Sequence, residues 1–111
     1  MTEGTPYKEE DIWQKFAQLP KTIQNVMFSL ETGDALYAIA KKNTVADRFK
    51  RLSFCVNLIF SGVVPITSFR KLIEDELRLD QEHARMIAIE IRDKIFIQVK
   101  DELRTIHRLD S

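Results

Sequence analysis

The chain has 111 residues, 44% hydrophobic and 31% charged, with seventeen basic residues against seventeen acidic ones. That balance describes one globular domain able to bury a core without metal or disulfide, and it excludes a disordered chain and disfavours a general nucleic-acid binder driven by counterion release. Cys55 is the only cysteine, the start Met1-Thr-Glu-Gly-Thr-Pro lacks the features of a signal peptide, and no apolar run nears a membrane span; a reducing, cytoplasmic setting without membrane contact is expected.

Thr5 and Pro6 are expected as N-cap and first residue of a first helix, after a disordered tract 1–5. Ile12, Phe16 and Leu19 line it, with Trp13 beside them, and it ends near Gln18 because the residue before Pro20 is pushed out of the helical region. Pro20 opens a second helix carrying Ile23, Val26, Met27 and Leu30, and Gly33 marks a break between Ser29 and Asp34. A third helix holds Leu36, Ile39 and Ala40 and stops at Lys42-Asn43. Thr44 caps a fourth, striped by Val45, Phe49, Leu52, Cys55, Val56, Ile59 and Val63 and closed by Gly62 in a left-handed position. A fifth begins between Pro65 and Thr67 and presents Phe69, Leu72, Ile73 and Leu77. Asp80 caps a sixth, running from Gln81 to Arg108 over about 42 Å. No segment alternates as a strand does, so the class is all-α.

Two predicted helices carry apolar residues outside their stripes. Phe54 and Leu58 lie opposite Leu52 and Ile59, and Met86, Ile89 and Phe96 lie opposite Ala84, Ile91 and Ile95. A helix apolar on both sides is either central or shared with another chain. Beyond Lys100 only Leu103, Ile106 and Leu109 continue the pattern amid charge, so 101–111 is expected to project from a core spanning 19–100.

The chain also echoes itself. Ile59, Phe60 and Val63 return 36 residues later as Ile95, Phe96 and Val99, and Leu36 returns as Leu72. A period of this size belongs to helical hairpins that stack their apolar faces. The expected architecture is a compact bundle of six helices, an N-terminal pair followed by two related hairpins.

Nothing in the pattern carries catalysis. Cys55 lies within an apolar stripe, where a thiol is inert. His83 stands in the first turn after Asp80 as a capping neighbour, and His107 near a helix C-terminus suits the dipole. Glu9-Glu10-Asp11 and Glu74-Asp75-Glu76 are expected as solvated helix faces, because consecutive helix positions diverge. There is no phosphate loop, Cys-x-x-Cys or His-Glu-x-x-His. No catalytic residue, metal ligand or cofactor is therefore assigned. Residues 38–52 resemble a helix-turn-helix whose second helix would offer Arg48, Lys50 and Arg51 to DNA; Asn43-Thr44 replaces the usual turn glycine, and Lys50 fills a position normally apolar.

The pattern Leu19-Pro20-x-x-Ile23, Leu36-x-x-Ile39-Ala40, Ile59-Phe60-x-Gly62, Phe69, Leu79, Ala84, Ile87-Ala88 and Ile95-Phe96-x-x-Val99 resembles a small helical family, without assigned activity, of bacteria with reduced genomes. The resemblance spans Leu19 to Ile106, rests on core positions and implies a cytosolic helical domain; no functional residue carries over. The functional expectation is a non-enzymatic protein-interaction module, engaging a protein partner or a second copy through Met86, Ile89 and Phe96 or through Leu103, Ile106 and Leu109. The alternative is a DNA-binding regulator.

Overall fold

The computed structural model describes residues 6–109, the side chains of Arg108 and Leu109 excepted; the cap expected at Thr5 and the tract 1–5 lie outside the described residues. Among these residues there is no strand. Seven α-helices follow one another: α1 (Glu9–Phe16), α2 (Lys21–Phe28), α3 (Leu30–Lys42), α4 (Phe49–Phe60), α5 (Phe69–Leu77), α6 (Gln81–Lys94) and α7 (Lys100–Leu109). Short 3-10 turns over Ala46–Arg48, Ile66–Ser68 and Phe96–Val99 lead into α4, α5 and α7.

The centre of the bundle is α4, which packs against α1, α2, α3 and α5. Its two apolar sides are both filled: Leu52 and Ile59 are buried, and so are Phe54 and Leu58. Cys55 is buried among them, and burial pushes its thiol well above the ordinary range, with Glu76 adding to the effect. The second apolar face of this helix is core.

Helix boundaries follow their caps. The Ser29 hydroxyl accepts the Thr32 N–H at 3.1 Å, so α3 starts at Leu30 and Gly33 is absorbed into its first turn. A side-chain cap contributes about 1 kcal/mol, enough to offset the ~1 kcal/mol glycine penalty. The carboxylate of Asp80 accepts the His83 N–H at 2.7 Å and starts α6, as its position predicts. Gly62 takes φ 81° after α4, also as expected. Thr44 does something different from the N-cap expected of it: at φ 61° it closes α3. Its N–H reaches the Lys41 carbonyl at 3.1 Å and the Val45 N–H reaches that of Ala40 at 2.8 Å, the paired bonds of a helix stop that normally uses glycine. The chain then needs the 3-10 turn before α4 begins at Phe49.

The last third departs most from the sequence reading. A continuous helix of about 42 Å would exceed the longest extent of the molecule, 33 Å. Instead α6 ends at Lys94, Ile95 is distorted from regular helix at φ −114°, ψ −58°, and a 3-10 turn over Phe96–Val99 separates α6 from α7. The apolar stripe explains the break. Ala84, Ile87, Ile91 and Ile95 are buried, and then Phe96, Val99 and Leu103 are buried, a stripe restarted one residue late. On one straight helix Phe96 stands about 100° round from Ile95, while Val99 and Leu103 follow it at four-residue steps that drift round the wheel, so a turn of the axis lets both sets face one core. Helix α7 therefore packs on α2 rather than projecting. Thr22 Oγ1 donates to Glu102 at 3.0 Å, and Leu103 is only 3% exposed. Residues 101–109 belong to the bundle.

Leu103→Ala is accordingly expected to lower unfolding free energy by about 2–4 kcal/mol in a denaturant titration, as for a buried leucine; a loss below about 0.5 kcal/mol, the range of surface changes, would return α7 to solvent.

Candidate interaction surface

The residues first expected to form an interface divide sharply. Phe96 is in the core, edge-on to Phe60 at 5.1 Å between ring centroids and tilted against Phe69 at 5.2 Å. Leu103 is buried and Ile106 packs against the core, while the Leu109 side chain lies outside the description. Ile89 is half-buried and Met86 is exposed on α6. Ile89 and Phe96 line one small cleft with Phe69 and Ala88, and neither Met86 nor the α7 residues contribute to it.

The three basic residues of the helix-turn-helix reading lie in a polar cleft with Glu9, Asp47 and Glu76. Arg48 donates to the Leu77 carbonyl at 2.7 Å, satisfying an open carbonyl at the end of α5. Arg51 pairs with Glu76 at 3.3 Å and lies over the Phe54 ring. Lys50 is exposed. The Glu74–Glu76 run is not the solvated face expected: Glu74 pairs with Arg70, Glu76 with Arg51, and only Asp75 stands well out in water. An element packed over its own neighbour draws such carboxylates inward.

Both histidines act as clamps on backbone. His83 Nε2 lies 2.7 Å from the Asn43 carbonyl and His107 Nε2 lies 3.1 Å from that of Ile59; a carbonyl only accepts, so Nε2 carries the proton in each. Asn43 is the junction of α3 and α6. Its amide donates to the Ile39 carbonyl and to Glu90 Oε1, each at 2.8 Å, while Lys42 pairs with Glu90 Oε2 at 2.8 Å. The Lys42 bond, with that of Asn43 behind it, holds the Glu90 carboxyl below its usual range. Among the described residues no group of three or more His, Cys, Asp or Glu could hold a metal ion, and no helix is long and apolar enough to cross a membrane.

The surface feature that the sequence reading missed lies at the other end of the chain. Trp13 of α1 stacks on Phe28 of α2, with centroids 5.8 Å apart and planes 15° from parallel. Phe16 meets both edge-on, at 5.6 Å and 5.2 Å. Trp13 is 42% exposed, Phe28 62% and the neighbouring Leu30, first residue of α3, 85%. Gln24 fixes the corner beneath them by donating its amide to the carbonyls of Phe16 at 2.9 Å and Leu19 at 3.1 Å. The rings are thus set before anything docks on them. The available signal was position: Trp13 and Phe28 fall outside their helices' buried stripes, and Leu30 follows the cap Ser29 and so begins a helix rather than continuing one.

Comparison with protein-family models, with curated proteins and with solved structures finds no match to the chain.

The Asn43 junction carries a pH signature. Because Glu90 titrates lower in the folded chain, its contribution is complete above the ordinary carboxylate value of about 4.3 and is lost as pH falls through the folded value. Lys42 is largely exposed, so solvent screens the pair. Glu90→Gln should cost about 0.5–1 kcal/mol in denaturant titrations at neutral pH and progressively less as the solution is acidified below the ordinary carboxylate range. A pH-independent difference would contradict the assignment.

Proposed function

We propose that this protein is a non-enzymatic helical interaction module that docks through the Trp13–Phe28–Leu30 face. The observation that carries the proposal is the stacked, exposed Trp13–Phe28 pair held by Phe16 and the Gln24 corner. Large aromatic side chains left in water are costly to expose and dominate the energetics of interfaces when covered. Fixed in place beforehand, they lose little conformational freedom on docking.

The occupant proposed is a second copy of the chain. The net charge is zero, so two copies meet without the long-range repulsion that keeps charged proteins apart. An exposed aromatic patch suits a two-fold pair, in which the same face is used twice. The DNA-binding alternative draws less support, since Arg48 and Arg51 are engaged by α5 and three carboxylates share their cleft.

Trp13 is the only tryptophan, and its emission therefore reports on this face directly. Across roughly 1–100 μM, sedimentation should show a monomer–dimer transition accompanied by a blue shift of Trp13 emission. Phe28→Ser with Leu30→Ser, both exposed, should abolish the transition and leave the fold intact. A chain that stays monomeric throughout, or a variant that associates as well as the parent, would overturn the reading.

A further inference from the structure

The elbow between α6 and α7 opens a cleft of about 560 Å³, within the range of small-molecule sites. Its apolar lining is Ile66, Phe96 and Leu103, with Ile97 at the mouth. Phe96 and Leu103 are buried, and Phe96 is locked by its contacts with Phe60 and Phe69, so the floor is rigid. Ile97 is more than half exposed although it follows directly on the buried Phe96; the 3-10 turn aims it away from the core.

The polar lining is strongly biased in a chain that is neutral as a whole. Arg92, Lys100 and Arg104 bring three cations against one carboxylate, Asp93, and that carboxylate already accepts from Arg92 Nε at 3.1 Å. Lys100, Leu103, Arg104 and His107 all line the cleft and stand at the spacing of one helix face. Lys100 and Arg104 are four residues apart on α7, a like-charge placement that costs stability in an isolated helix. No described carboxylate pairs with either of them at ion-pair distance. A bound anion would relieve that repulsion. His107 is held at the inner end through its Nε2 bond to the Ile59 carbonyl, which ties the cleft wall to α4.

We propose that this cleft binds a small amphipathic monocarboxylate, with its carboxylate between Lys100 and Arg104 and its hydrocarbon body over Ile66, Phe96 and Leu103. The planar guanidinium suits a carboxylate through paired N–H donors, and the apolar floor supplies affinity that scales with chain length. None of these residues belongs to the Trp13–Phe28–Leu30 face, so the inference stands apart from the proposed function.

The test is calorimetric titration of the full chain with hexanoate, octanoate and decanoate below their micelle concentrations. Controls matched in length to decanoate are decanol and decyltrimethylammonium, with acetate as the head group alone. Affinity should rise about fourfold per added CH2, acetate should not bind, and decyltrimethylammonium should bind at least tenfold more weakly than decanoate. Lys100→Gln with Arg104→Gln should weaken decanoate about tenfold without lowering the melting temperature, and Ile97→Asp, at an exposed position, should weaken it likewise by placing a carboxylate at the mouth. Equal binding of the cationic and anionic chains, affinity independent of chain length, or full affinity in both variants would each overturn the proposal. Trp13 emission should not change on titration; a shift would move the ligand to the aromatic face and equally overturn it.

Discussion

The burial of Phe96 between Phe60 and Phe69 governs the path of the last third of the chain. Ile95 and Phe96 are adjacent and both buried, which a straight helix permits only where core surrounds it widely. The apolar stripe ahead of this point and the one behind it are one residue out of phase, and neither can be exposed without losing several large side chains from the core. Each buried side chain of this size is worth about 1.5–3 kcal/mol. That exceeds the cost of interrupting a few helical hydrogen bonds, each worth about 1 kcal/mol net, so the axis turns. The return of α7 follows, and with it the contact with α2, the tie from His107 to α4 and the cleft at the elbow.

Much of the architecture was legible because it depends on local chemistry. The all-α class, the caps at Asp80 and Gly62, the burial of Cys55 and the central position of α4 come from spacing and from residues with one strong structural preference. The misreadings share a physical origin: a local preference overruled by its neighbours. Gly33 looks like a break but is carried by the Ser29 cap. Thr44 looks like an N-cap but is forced left-handed to close α3, a conformation that costs a β-branched residue of order 1 kcal/mol or more and that the packing of Val45 and Ala40 in the core sustains. The phase slip at Ile95–Phe96 was present in the sequence; following one stripe through Gln81–Arg108 averaged it away.

Residues of the 36-residue echo lie in the core. All four residues Ile59, Phe60, Ile95 and Phe96 are buried, and the two phenylalanines that correspond in the echo meet edge-on. The turns do not keep the same register. The left-handed closures fall at Thr44 and Arg78, thirty-four residues apart, and α4 exits through Gly62 where α6 continues into a 3-10 turn. The candidate surface was less legible than the fold, because exposure is a difference between what a helix offers and what its neighbours cover. Phe96 and Leu103 were read as offered and are covered. Trp13 was read as lying beside a buried stripe and Phe28 was not singled out, yet they stack on each other with a large part of both rings left in water.

The turn at Ile95 is the claim on which the placement of α7, and the cleft beside it, both stand. Nuclear Overhauser contacts in the isotope-labelled chain test it most directly. The account predicts a helical amide pattern interrupted between Lys94 and Lys100, with long-range contacts from the Leu103 and Ile106 methyls to α2. An unbroken helical pattern from Gln81 to Arg108, with no contact between α7 and α2, would contradict it.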